Sequence, residues 1–489
     1  SPGVQRIPIA IGALVMIATA FCLAWAGSPD RKPRQRPGTS DQRPAIGEPW
    51  QLEAALWAAL GLALTPRLLM FARRIFIDIY ISMFMGLTLL FFALSERYPS
   101  RRRLFLVLMY GAVGLGVLTK GPIAIALPGL VFALYLLVYK ELGRIRSMML
   151  PAGILIVAAL VVPYCAALYA REGWGPITSF ILGENLARYT DGLGVDAERP
   201  VWFYLPVIFS DAFPWSAFLF VAAAAWLAER REGKGPDATR RVRTLLWLWI
   251  AVIVLFFTAS AAKQDLYIFP IVPAVAALAG LVIVQGLTGG IRWTAASIGA
   301  VAIVAGAGLI YLVGSPAGIY AIDGARSMGL AGVMGGFIVV AAALTGRTHG
   351  ALLGIAATFI VLGWIFVLRV LPGFERYKPV PGFAHTLAPR LQPGDEVVTY
   401  DEALPSFVFY LRRHVDPFFL ADELIARFRT GRTVYAVLSA DNYRDLAEQI
   451  GSPTCIIDRR PTFDVKLKNM LAQQPLPELL LITNRCPAQ

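Results

Sequence analysis

The chain has 489 residues, of which 57% are hydrophobic and 16% charged, with a formal net charge of +13. An ordinary soluble chain carries roughly 25% charged residues, so this composition excludes a soluble enzyme and points to a polytopic membrane protein. The net positive charge is the usual bias of loops on one side of a membrane and is weak evidence for a nucleic-acid partner.

Apolar runs long enough to cross a bilayer, about 17 to 25 residues each, begin at 7–27. A basic segment with Arg31, Lys32, Arg34 and Arg36 follows, and then a second run at 53–71. The cationic pair Arg73-Arg74 precedes Asp78, a lone carboxylate at the head of the next run, 76–95. A carboxylate at the end of a membrane helix is costly to keep. It reads either as a helix-boundary ion pair with Arg74 or as a functional acid.

Arg101-Arg102-Arg103 separates this run from 104–119. The turn Leu118-Thr119-Lys120-Gly121-Pro122 then restarts the chain into 121–138. Lys120 there either snorkels toward headgroups or binds an anion. After the run 150–170 comes a loop with Gly183-Glu184-Asn185-Leu186-Ala187-Arg188-Tyr189-Thr190 and Pro200-Val201-Trp202-Phe203-Tyr204-Leu205-Pro206. Tyr and Trp are ordinary at a membrane interface, but Arg188 offers a planar fork suited to phosphate.

Runs at 204–227 and 244–262 lead to Phe257-Thr258-Ala259-Ser260-Ala261-Ala262-Lys263-Gln264-Asp265-Leu266-Tyr267, in which Lys263 and Asp265 can neutralise each other across a tight turn. The remaining runs, 266–287, 294–313, 328–345 and 350–370, bring the predicted total to twelve helices. Loops at 28–52, 96–103, 139–149, 228–243, 288–293 and 346–349 hold twenty Lys and Arg against ten in the alternate set, so they are expected to face the cytoplasm. Asp78, Lys120, Arg188, Lys263 and Tyr267 then fall on the outer face, one acid among cations and hydroxyls. That set suits a phosphate-bearing amphiphile with its tail in the bilayer.

From Leu371 the composition changes. Strand-like 396–400 and 433–438 alternate with helical 422–428 and 442–450, the pattern of a small α/β domain with a parallel or mixed sheet. The expected organisation is a membrane domain at 1–370 and an extracytoplasmic α/β domain at 371–489. Cys22 and Cys165 read as small apolar residues in helices, whereas an oxidising outer compartment would permit a bridge between Cys455 and Cys486. There is no CxxC, HExxH or P-loop, and His349, His385 and His414 are too scattered to propose a metal site. No cofactor is expected.

In order and spacing, Phe71-Ala-Arg-Arg-Ile-Phe-Ile-Asp78, Leu118-Thr-Lys-Gly-Pro122, Glu184-Asn-Leu-Ala-Arg-Tyr189 and Phe257-Thr-Ala-Ser-Ala-Ala-Lys263 with Tyr267 and Pro270 resemble the bacterial aminoarabinose transferases and protein O-mannosyltransferases. These are polyprenyl-phosphate-dependent glycosyltransferases of the GT-C class. The resemblance implies a multi-pass enzyme of the cytoplasmic membrane that moves a sugar from a polyprenyl-phosphate carrier to a lipid A-like glycolipid or a protein on the outer face. It implies that Asp78 lies near the acceptor or the donor's anomeric centre, that Lys120, Arg188 and Tyr267 line the lipid-phosphate pocket, and that Lys263 and Arg74 serve the donor side.

The family's first helix and its large outer loop, with an Asp-Glu pair and a Lys-Pro-Pro segment, find no counterpart here. Ser1-Pro2-Gly3-Val4 resembles the start of the family's second helix, so an N-terminally truncated product is expected, with one catalytic acid missing. Asp30, in the basic loop, cannot replace that acid. Two other classes remain open: a lipid-linked sugar transporter or flippase, whose signature would be a repeat with ionisable groups near the midplane, and an inactive polyprenyl-phosphate-binding relative.

Overall fold

The structure, a computed structural model, describes residues 6–29, 49–72, 77–191, 199–231, 237–285, 288–315, 318–402, 404–451, 453–463 and 466–486. The chain folds as two compact units, Ser1–Gly299 with Ile338–Phe359, and Ala300–Phe337 with Ile360–Gln489.

The first unit is helical: α1 (Ile7–Gly27), α2 (Pro49–Ala63), α3 (Pro66–Phe71), α4 (Asp78–Arg97), α5 (Arg102–Lys120), α6 (Ile123–Val138) and α7 (Leu150–Glu172) come first. Short α8 (Gly175–Thr178) and α9 (Arg188–Asp191) follow. Then come α10 (Tyr204–Ala212), α11 (Leu219–Arg231), α12 (Ala238–Thr258), α13 (Val272–Val284) and the first part of α14 (Thr288–Leu312). Apolar residues surround α13 on all sides, and the helix is buried at nearly every position, so it forms the centre of the bundle. Gly280 allows this, because a Cβ there would lie 2.3 Å from the Ala54 carbonyl oxygen of α2.

Among the described residues, nine helices are long and apolar enough to span a membrane, or ten if one bent pair counts as a single span. The expected twelve is therefore corrected, for local reasons. The run at 53–71 breaks where Thr65 is extended and Pro66 restarts the chain as α3. Pro122 leaves α6 with only 16 residues, and the run at 204–227 bends by 115° between Val201–Ala212 and Trp215–Arg231, where Pro214 intervenes.

Loops expected to share a side do meet at one end of this bundle. Glu96, nearly sealed in the last turn of α4, accepts from Arg102 (2.8 Å), from Arg144 (2.6 and 3.1 Å) and from the Tyr135 hydroxyl (2.9 Å). Arg241 grips Glu141 with two bonds of 2.8 and 2.6 Å, and this grip, joined by Arg144, holds the Glu141 carboxyl down at about 2. One acid thus ties α4, α5, α6 and the loop after it. Replacing Glu96 with Ala leaves two half-buried guanidiniums short of a partner and strands the buried Tyr135 hydroxyl, and is expected to cost about 1–3 kcal/mol. The check is thermal unfolding in detergent, where an unchanged midpoint would refute the role.

In the second unit, α15 (Ala325–Leu344) begins and α16 (Thr348–Ile365) ends. Next come α17 (Leu371–Phe374), α18 (Pro379–Leu387), α19 (Pro405–Leu411), α20 (Ala421–Phe428), α21 (Ala440–Ile450) and α22 (Leu467–Leu471). These helices flank a sheet of β1 (Glu396–Tyr400), β2 (Asp416–Phe418), β3 (Val434–Ser439), β4 (Cys455–Pro461) and β5 (Glu478–Thr483), in the order β2-β1-β3-β5-β4. β1 pairs in parallel with β2 and β3 (Val397 opposite Tyr435), and β5 runs antiparallel to β3 and β4 (Val437 opposite Leu481). This is the mixed sheet expected from alternating strands and helices. Phe383 and Phe407 of α18 and α19 cover one face, and Leu424 and Leu446 of α20 and α21 cover the other. Cys455 and Cys486 are joined by a disulfide that ties β4 to the end of β5.

Candidate functional site

At the end of α4 opposite Glu96, helix termini converge around a cavity of about 480 Å³. Asp78 opens α4 and Lys120 closes α5, each at the helix end whose dipole favours its charge. The two side chains form a half-buried ion pair, 34% exposed at Lys120 and 17% at Asp78. Asp78 thus has its cation on the neighbouring helix. Arg74, the partner considered from the sequence, lies outside the described residues.

Gly121 makes this corner possible. Its φ of +78° is a left-handed conformation, and a Cβ there would come within 3.0 Å of the Phe180 ring and 3.1 Å of the Asn185 amide. The chain can therefore turn sharply after Lys120 and leave the ammonium at the cavity mouth. On its other side, Lys120 Nζ lies 5.4 Å from the centre of the Tyr267 ring, a cation–π distance.

Tyr267 sits in the 3-10 turn Asp265–Ile271, and its ring meets that of Phe257, near the end of α12, at 4.9 Å and a tilt of 35°. The α9 segment is attached to the end of α12 and the bend that follows it. The Tyr189 carbonyl accepts from Ala261 N (2.9 Å) and from the Ser260 hydroxyl (3.4 Å), while the Tyr189 hydroxyl reaches the Phe256 carbonyl at 3.3 Å. This brings the backbone of Arg188, first residue of α9, beside the α12 terminus. The Arg188 side chain lies outside what the structure describes.

Lys263 does not neutralise Asp265. Its ammonium donates to the Ser260 carbonyl at 2.9 Å. Asp265 pairs instead with Arg67 of α3, whose Nε is 3.4 Å from the Asp211 carboxylate on α10. Steric proximity explains the exchange, since α3 and α10 pack beside the turn and bring a guanidinium within reach. Neither Lys263 nor Arg67 lines the cavity.

The sequence reading missed Asn185, Tyr189 and Ser260 as lining groups, although each stands in a motif it quoted. It also missed Asp211, a carboxylate 2% exposed within a hydrophobic run, the signal that had singled out Asp78.

Below this polar mouth the walls are hydrocarbon: Ile81, Met85, Ile123, Ala126, Leu127, Phe256, Phe257 and Pro270. An ammonium, a carboxylate and a phenol at the head of an apolar chamber can hold an anionic headgroup while its tail lies below. Among the described residues no group of three or more His, Cys, Asp or Glu is placed to bind a metal ion.

Residues 47–172, which carry Asp78 and Lys120, match the family model described as dolichyl-phosphate-mannose-protein mannosyltransferase. The chain is 32% identical over 206 residues to an undecaprenyl phosphate-alpha-4-amino-4-deoxy-L-arabinose arabinosyl transferase of Pseudomonas fluorescens, an alignment that takes in 42% of this chain and 34% of the relative. It is 34% identical over 209 residues to the enzyme of that name from Pseudomonas aeruginosa, covering 42% and 35%. The chain therefore spans about a third of the length of the curated relatives it matches. Its fold is similar over far more of its length to the crystal structure of ArnT from Cupriavidus metallidurans bound to undecaprenyl phosphate. The TM-score is 0.71 at 20% identity, with 99% of this chain and 85% of that one covered. The apo crystal structure of that ArnT gives 0.69. The fold is similar to that of ArnT, and the chain is a multi-pass membrane protein.

Proposed function

We propose that this ArnT-like chain transfers a sugar from a polyprenyl-phosphate carrier to an acceptor on the outer face of the cytoplasmic membrane. The observation that carries the reading is the Asp78–Lys120 ion pair at the mouth of an apolar cavity. A lipid phosphate needs a cation at the headgroup and hydrocarbon beneath it, and the acid beside that cation supplies the base. The names of the relatives favour an amino-pentose as the sugar and undecaprenyl phosphate as the carrier. The acceptor is a lipid A-like glycolipid or a protein.

In this reading Lys120 exchanges Asp78 for the donor phosphate, with Tyr267 beside it and Arg188 as a further phosphate ligand. Arg74 and Lys263 belong to the donor side. Asp78, released, accepts the proton of the acceptor's nucleophile. A bond forms from that nucleophile to the anomeric carbon, the bond from that carbon to the phosphate oxygen breaks, and polyprenyl phosphate departs with the electron pair, held by Lys120. Residues 371–489 act as one extracytoplasmic α/β domain. The excess of basic residues in the loops at 28–52, 96–103, 139–149, 228–243, 288–293 and 346–349, which are expected on the cytoplasmic side, and the Cys455–Cys486 bridge, a feature of oxidising compartments, support that orientation.

The test is reconstitution in proteoliposomes with an undecaprenyl-phosphate-linked aminoarabinose and a lipid A acceptor, read by mass spectrometry. A sugar-sized gain on the acceptor is the expected result. Movement of intact donor across the bilayer without cleavage would make the protein a transporter and overturn the reading.

A further inference from the structure

The spans Gly289–Leu312, Ala325–Leu344 and Thr348–Tyr377 have ends that meet at one place. There Val313, Ile322, Ala325 and Val370 form a buried apolar cluster, and Phe463 and Met470 from the sheet region pack against it. The rings of Phe374 and Phe463 meet edge to face at 5.1 Å. Tyr320, in the connection between α14 and α15, donates its hydroxyl to the Asn469 carbonyl at 3.2 Å and to the Gln474 carbonyl. Asn469 and Met470 belong to α22, so this short helix is fastened at the level where three membrane helices leave the apolar phase.

The rest of α22 faces outward. Leu467 and Leu471, four residues apart on one side of the helix, are 62% and 63% exposed, and Lys466 and Lys468 are exposed beside them. Exposed leucines are ordinary when scattered. These two are paired, are flanked by cations, and stand where a bilayer surface must run. Leucines that sink to the acyl boundary with lysines reaching back to phosphates are the pattern of an interfacial segment.

We infer that α22 is a membrane-contact element: Leu467 and Leu471 enter the leaflet on the side of the sheet region, and Lys466 and Lys468 hold anionic phospholipid headgroups. The inference depends on the chain spanning a membrane and is independent of the proposed reaction. It gives the sheet region a second hold on the bilayer beyond its covalent tether.

The full chain with its free cysteines removed (Cys22→Ala, Cys165→Ala) and the Cys455–Cys486 bridge intact carries a single reporter thiol, Leu467→Cys, labelled with an environment-sensitive fluorophore. Glu448→Cys, exposed on α21, is the control. In nanodiscs with brominated phosphatidylcholine, the probe at 467 is expected to be blue-shifted and quenched severalfold more than the probe at 448. Equal quenching at the two positions overturns the proposal. A blue shift at 467 without quenching overturns it as well, because the helix is then covered by protein rather than lipid. Adding Lys466→Glu and Lys468→Glu should reduce quenching in discs containing phosphatidylglycerol and leave it unchanged in phosphatidylcholine alone. No difference between the two lipids removes the lysines from the inference.

Discussion

Asp78→Asn is expected to lower sugar transfer by roughly 10²–10⁴-fold, the range supplied by a positioned general base. The amide has the shape of the carboxylate, so the α4 terminus, where the Ser82 hydroxyl bonds the Asp78 carbonyl at 2.8 Å, keeps its form. The structural cost is the lost charge at a helix N-terminus together with the lost half-buried ion pair to Lys120, about 1–2 kcal/mol. Removing the carboxylate also frees Lys120, so affinity for undecaprenyl phosphate should stay level or rise as transfer collapses. A residue that merely held two helices together would lose binding and turnover in step. Titration of undecaprenyl phosphate beside a single-turnover assay separates the two, and retained turnover in the variant takes Asp78 out of the mechanism.

The second large effect is expected at Lys120. Lys120→Met keeps the aliphatic stem and removes the ammonium. A cation aimed at charge that develops on a leaving phosphate contributes on the order of 10²–10³ in rate. Here the donor KM should rise as kcat falls, because the same ammonium serves the bound donor and the departing phosphate. Lys120→Arg should recover part of the binding, since a guanidinium also pairs with phosphate. The double variant with Asp78→Asn should be clearly non-additive, the two side chains being in direct contact. Strict additivity in a donor-binding assay would mean that the pair does not exchange partners.

What could be read from the sequence follows the range of the interactions. The first helix, 7–27, and the first strand, 396–400, were legible to the residue because each is a local pattern of side-chain polarity. The candidate site was legible as a set of charged residues at helix ends, and Asp78, Lys120 and Tyr267 do come together. The partners were not legible. Asp78 finds Lys120, 42 positions away, because α4 and α5 run back to back, and Asp265 finds Arg67 across 198 positions. Pairing over such distances depends on packing that hydropathy does not contain. Two breaks did carry a local signal: Pro66 and Pro214 stand inside apolar runs that hydropathy reads as continuous, and each marks where a helix is interrupted.

Helix α4 is held by charge at both extremities, by Lys120 at Asp78 and by Arg102 and Arg144 at Glu96. Its 20 residues measure about 30 Å, the thickness of a typical hydrocarbon core. A strut pinned in this way has little freedom to tilt when the surrounding lipid thins or thickens, so mismatch has to be absorbed by the lipid. The depth of the candidate site is therefore set by the protein, and acyl-chain length becomes a variable to which the proposed transfer is expected to respond.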